Sequence, residues 1–134
     1  MANNYTQFCA RFTGSKRAVK ALIAALVYEE DGEEELACQH TLVNDKCVIL
    51  YSDESCNIDA VADAVCGVQE KFKLKEPFTL QWADTCSSNR VDEFGGGALV
   101  CHEGSRTWLN TNQWVAEQPD LALLGTFPEK VRKE

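Results

Sequence analysis

The order in which hydrophobic periodicity changes along the chain constrains the fold more than any other feature. Residues 4–12 alternate, with Thr6, Phe8, Ala10 and Phe12 on one side and Tyr5, Gln7, Cys9 and Arg11 on the other. A period of two marks a strand with one buried face. Thr13-Gly14-Ser15 breaks that pattern, and Ser15 suits a helix N-cap. Val19, Leu22, Ile23, Leu26 and Val27 then recur at helical spacing, which predicts a helix over 16–29, ending before Asp31-Gly32. Alternation returns over 35–43 through Leu36, Cys38, His40 and Leu42. Asn44-Asp45 signals a turn, and Cys47–Ser52 reads as the returning strand of a hairpin. Asn57 is placed to cap a second helix, with Asp59 in its first turn and Ile58, Val61, Val65, Val68 and Phe72 as its buried stripe. After Pro77, the residues Phe78, Leu80 and Trp82 alternate in a fourth strand.

This order, β-α-β-β-α-β, is the split βαβ or ferredoxin-like pattern. It predicts an α+β fold: a four-stranded antiparallel sheet with both helices on one face. The remainder reads as an extension. Asp84–Gly97 is a polar, glycine-rich loop. Ala98–His102 and Arg106–Asn110 flank Glu103-Gly104-Ser105 and predict a further C-terminal β-hairpin. Thr111 or Asn112 caps a short third helix carrying Trp114 and Val115, which Pro119 follows. Residues 125–134 read as a loose tail. The 134 residues, 45% hydrophobic and 25% charged, fit a single ordered domain. Within it, 4–83 is the ferredoxin-like core and 84–118 the extension.

The balance of 13 basic against 21 acidic residues, net −8, argues against direct, general nucleic-acid binding. No apolar run approaches the ~20 residues of a membrane-spanning helix. The opening MANNYTQFCARF lacks the features of a signal peptide. Seven cysteines, an odd number with no CxxC pair, read as small buried hydrophobes in a reducing cytoplasm. A structural disulfide is the alternative, and a reactive thiol is confined to Cys56 or Cys86, both in expected loops.

The topology sorts the charges. The end of the sheet opposite the first strand-to-helix turn receives Glu29, Glu30, Asp31, Glu33, Glu34, Asp53, Glu54, Asp59, Asp84, Asp92 and Glu93, with Arg90 the one base. The other end receives Lys16, Arg17, Lys20, Lys46, Lys71, Lys73 and Lys75. Segment 29–59 holds ten acids against Lys46 alone, a net of −9 that leaves +1 for the rest of the chain. Lys16 and Arg17 at the start of the first helix, and Glu29 and Glu30 at its expected end, all oppose the helix dipole. Solubility accounts for acidic loops in general. A charge order that works against its own helix points further, to an acidic pole that meets a basic protein surface.

Other candidates compete with this one. Gly95, Gly96 and Gly97 with Arg90 outline a small-ligand site in the 84–97 loop, against a tight re-entry into the next strand. No Lys-Ser/Thr follows the glycines and no GxGxxG is present, and EEDGEEE lacks the calcium-loop pattern, so no cofactor or metal is indicated. Cys86 with His40 or His102 could form a thiol–imidazole pair only if folding brings them together. Asp84 and Glu93 could pair for acid–base chemistry. Trp82, Trp108 and Trp114 read as packing anchors, whereas an exposed Trp would mark a contact surface. Self-assembly through the sheet face or edge is a third class.

The runs Trp82-Ala83-x-Thr85-Cys86-Ser87, Arg90-x-Asp92-x-Phe94-Gly95-Gly96-Gly97-Ala98 and Trp108…Asn110-Thr111…Trp114 give the segment Phe78–Trp114 a further meaning. This segment resembles small phage and mobile-element proteins with no established activity. The resemblance implies an accessory protein of a mobile element and transfers no catalytic residue. By analogy with small acidic proteins of that origin, including anti-CRISPR proteins, it implies a nucleic-acid-binding host defence complex as the partner.

Overall fold

A computed structural model describes residues 4–88 and 94–124, the side chains of 120–122 excepted. The elements in chain order are β1 (Asn4–Thr13), α1 (Lys16–Ala25), β2 (Val27–Glu30), β3 (Glu33–Leu36), β4 (Gln39–Asn44), β5 (Cys47–Ser52), α2 (Ile58–Phe72), β6 (Phe78–Cys86), β7 (Gly95–His102), β8 (Ser105–Asn110) and α3 (Thr111–Leu123). A six-stranded sheet runs β4-β5-β1-β6-β7-β8, and β2 with β3 forms a separate two-stranded ladder. The pairings in both sheets are antiparallel. The fold is α+β. Its central pair β5 and β1 is flanked by β4 and β6, as the split βαβ pattern requires, and the C-terminal hairpin β7–β8 widens the sheet.

The helices start where the caps demand. Ser15 Oγ accepts the Ala18 N–H at 3.1 Å, and Asn57 Oδ1 accepts the Ala60 N–H at 3.0 Å. Each bond satisfies one of the amides that a helix start leaves without a partner. Ala18, Val19 and Leu22 of α1 are buried, as are Val61, Ala62, Val65 and Val68 of α2. They close over Phe8, Phe12, Val48, Leu50, Phe78, Leu80, Leu99 and Cys101, which share one side of the sheet. Both helices therefore cover the same face. Gln69 and Ser52 are buried polar members of this layer; Gln69 bridges two elements. Its Nε2 donates to the Cys101 carbonyl at 2.9 Å and its Oε1 accepts the Gly104 N–H at 3.2 Å, pinning α2 to the β7–β8 turn.

Four expectations need correction. The first helix does not run to 29. Leu26 caps it, and the Ala37 N–H donates to the Leu26 carbonyl at 2.8 Å, which turns the chain aside. Val27 and Tyr28 favour extended backbone. Asp31 (φ 54°) and Gly32 (φ 81°) both adopt the left-handed region and make a tight two-residue hairpin turn. Val27–Glu30 is accordingly a strand, and Val27 is exposed rather than part of a helical stripe. The strand expected over 35–43 is divided, because Ala37 and Cys38 are drawn into the core between β3 and β4. The segment 84–97 is not one loop: β6 continues to Cys86 and β7 begins at Gly95. Finally, α3 is capped by Asn110, whose Oδ1 accepts the Gln113 N–H at 3.0 Å, and it runs past Pro119 to Leu123. The exposed surface of that helix leaves the carbonyl opposite the proline open to water. The expected loose tail, 125–134, lies outside the described residues.

Candidate functional site

Connections that the sheet topology sends to one end are tied together there by hydrogen bonds. The Thr6 N–H donates to the Glu54 carbonyl at 2.8 Å, and Thr6 Oγ1 donates to Asp84 Oδ1 at 2.8 Å. Gln7 Nε2 donates to the Asp53 carbonyl at 2.8 Å. Asn57, which caps α2, donates its backbone N–H to the Ala37 carbonyl at 2.9 Å and its Nδ2 to the Tyr28 hydroxyl at 3.0 Å. These bonds bring Asp53, Glu54 and Asp84 into one neighbourhood with the base of the β2–β3 hairpin. Asp59, in the first turn of α2, lines one cleft with Asp84. Arg90, Asp92 and Glu93 lie outside the described residues.

The hairpin carries the densest charge. Its register sets Val27 opposite Leu36, Tyr28 opposite Glu35, Glu29 opposite Glu34 and Glu30 opposite Glu33. Because side chains alternate across a strand, each facing pair projects to the same side. Two consecutive pairs are therefore glutamate against glutamate, with Asp31 at the tip. Every one of these carboxylates is exposed. Ion pairs among the described residues are Lys75–Glu103 at 2.9 Å and Arg106–Asp63 at 2.7 Å, and neither involves the hairpin. Val27 and Leu36 add an exposed apolar pair at its base, 46% and 51% accessible.

The opposite end is organised differently. The Gly14 N–H donates to the Lys46 carbonyl at 3.0 Å, which sets the β4–β5 turn beside the start of α1. Arg17 and Lys71 lie over the Phe72 ring at 5.9 and 5.5 Å, and Lys75 holds Glu103. Lys16 and Arg17 do stand in the first turn of α1, against its dipole. Glu29 and Glu30 do not end that helix. Their placement on β2 removes half of the dipole argument and puts cross-strand repulsion in its place.

The glycine run has a packing role. A Cβ on Gly97 would collide with the Leu109 carbonyl oxygen and lie 2.6 Å from Trp82 Cη2, and one on Gly96 would collide with the Trp82 carbonyl oxygen. Gly95 meets the Asn112 side chain in the same way. The missing side chain of Gly97 lets the Trp82 indole cross β7 towards Trp108, where the rings meet edge to face with centroids 6.0 Å apart. Beside them opens a cleft of about 540 Å³ whose lining includes Trp82, Trp108, Asp59, Asp84, Asn110 and Gln113. Trp82 Nε1 donates to Asp84 Oδ2 at 3.3 Å.

The thiols and imidazoles do not converge. His40 sits on the exposed edge strand, and His102 adjoins the β7–β8 turn. Cys86 ends β6 beside Asn4, roughly 30 Å along the sheet from the level of His102 at ~3.3 Å per residue. The seven cysteines are free thiols. Burial pushes the Cys56 thiol up, and the Asp84 carboxylate adds to the rise against a hydrogen bond with Ser52 that lowers it. That disfavours a nucleophilic thiolate there. Among the described residues no three His, Cys, Asp or Glu side chains are grouped to hold a metal ion, and no helix is long and apolar enough to cross a membrane.

Periodicity alone did not reveal Tyr28 or the hairpin that it anchors. The available signal was Asp31-Gly32, a dipeptide suited to a tight hairpin turn. Compared with known proteins, the chain matches no family model, no curated protein and no solved structure.

Proposed function

We propose that this protein is a non-enzymatic binding module that docks its acidic end on a basic protein surface. The observation that carries the reading is the facing of Glu29 with Glu34 and of Glu30 with Glu33 on a two-stranded ladder outside the main sheet. Like charges directly opposite destabilise a ladder, by up to ~1 kcal/mol per pair. None of these carboxylates belongs to the buried core. Their repulsion is relieved when cations approach, so the hairpin gains on binding what it lacks alone. A concentrated negative field also speeds encounter with a positive partner and selects against negative ones. The resemblance of Phe78–Trp114 to mobile-element proteins suggests the partner class: a nucleic-acid-binding host defence complex, whose phosphate-binding channel is basic.

The test is capture of partners by the full chain from cells of its source, in parallel with a variant carrying Glu29→Lys, Glu30→Lys, Glu33→Lys and Glu34→Lys. The partner is expected to have a basic surface, to elute with rising salt and to be lost from the variant. Undiminished capture by the variant removes the hairpin from the mechanism.

A further inference from the structure

We propose that the cleft between Trp82 and Trp108 is a binding site for a guanidinium group, presented by an arginine side chain or a small free guanidine. Its walls and floor have the required chemistry. Trp82 and Trp108 meet edge to face at 6.0 Å, so their ring planes stand nearly at right angles. Trp108 remains 40% exposed, which leaves indole surface open to a flat cation. Arginine is the side chain best suited to stack on an aromatic face while its edge engages a carboxylate.

Two carboxylates, Asp59 and Asp84, line the same cleft, and among the described residues no base does. Asp84 is held in place by neutral donors, Thr6 Oγ1 at 2.8 Å and Trp82 Nε1 at 3.3 Å. A carboxylate has about four acceptor positions, so these two leave room for a cation's donors. Arg106, the cation two residues before Trp108 on β8, is already committed to Asp63 at 2.7 Å. The volume of about 540 Å³ admits the planar head and part of its aliphatic stem. Glycine at 97 is what permits the indole to take this position. The hairpin contributes no residue to the cleft lining, so this site and the docking of the hairpin can fail separately.

Indole N–H resonances of the full chain, assigned with single Trp→Phe variants, provide the readout. The probes are the peptide acetyl-Gly-Arg-Gly-amide, its citrulline counterpart, and agmatine as a free guanidine. The signals of Trp82 and Trp108, but not Trp114, are expected to shift saturably with the arginine peptide or agmatine. The tighter of the two identifies the source. Citrulline, of similar shape but uncharged, is expected to leave them in place. Asp59→Asn changes only an exposed group on α2 and is expected to weaken binding about 3-fold. Asp84→Asn preserves an acceptor for Thr6 and is expected to weaken it at least 10-fold. The absence of saturation by either cation at millimolar concentration overturns the assignment. So does an equal response to citrulline, or unchanged affinity in both Asn variants when their amide spectra remain native.

Discussion

Glu29 stands directly opposite Glu34 across the β2–β3 ladder, so their side chains share one face and neither has a cationic neighbour among the described residues. Changing Glu34 to Lys turns that repulsion into attraction. The variant is expected to be more stable than the parent, by about 0.2–1 kcal/mol in low salt. The gain should shrink as salt screens these exposed charges. Denaturation at two ionic strengths measures it. A loss of stability would mean that the hairpin charges are balanced in the free protein and are not held in reserve for a partner.

Gly97 has no room for a side chain. Gly97→Ala would drive a methyl group into the Leu109 carbonyl and the edge of Trp82. Overpacking of this kind costs about 1–3 kcal/mol. The indole must move, so a changed Trp82 signal should accompany the lower melting temperature. A variant with native stability and spectrum would show that the glycine is dispensable to this packing.

Gln69, 1% accessible, is the polar bridge between α2 and the β7–β8 turn. Gln69→Leu fills similar space but leaves the buried partners of its amide unsatisfied. The expected cost is about 1–3 kcal/mol. Amide exchange should quicken first at Gly104, which loses its acceptor. Protection at Gly104 equal to that in the parent would count against the role given to this bridge.

Two buried thiols set an alkaline limit. Burial, then the neighbouring Cys56, pushes Cys38 up from 9.0 to about 12. Burial and the adjacent Cys66 do the same for Cys101. In the unfolded chain both protons leave near pH 9.0, whereas the folded chain holds them to about pH 12. Their contribution is therefore complete below the lower value and is lost as pH climbs towards the upper one. The loss approaches ~1.4 kcal/mol per pH unit for each thiol. Cys101→Val should flatten the alkaline fall in denaturant-measured stability. An unchanged slope would assign that fall to other groups.

The sequence was most legible where one physical rule acts alone. Alternation in β1 identified Phe8, Ala10 and Phe12 as core, and Ser15 and Asn57 start their helices as capping chemistry predicts. Rules in competition were harder to read. Val27 continues the helical spacing of α1, but Ala37 closes on Leu26 and Asp31-Gly32 supplies a tight turn, so the hairpin prevails. Gly95–Gly97 read locally as a loop because glycine weakens strands. Their reasons are distant ones: the Asn112 side chain at Gly95, the Trp82 backbone at Gly96, and the Trp82 indole and Leu109 carbonyl at Gly97. Topology alone leads to the neighbourhood of Asp53, Glu54 and Asp84, while Asp92 and Glu93 of the expected acidic end lie outside the described residues. The Trp82–Trp108 cleft was not legible, because it depends on a pairing between residues 26 positions apart in sequence, bridged by β7.

The β2–β3 ladder shares no backbone pairing with the main sheet and is moored through Ala37 and the Tyr28 hydroxyl. Substitutions beyond that mooring leave the interior of the molecule untouched. Such an appendage can drift rapidly under selection while the scaffold behind it stays the same.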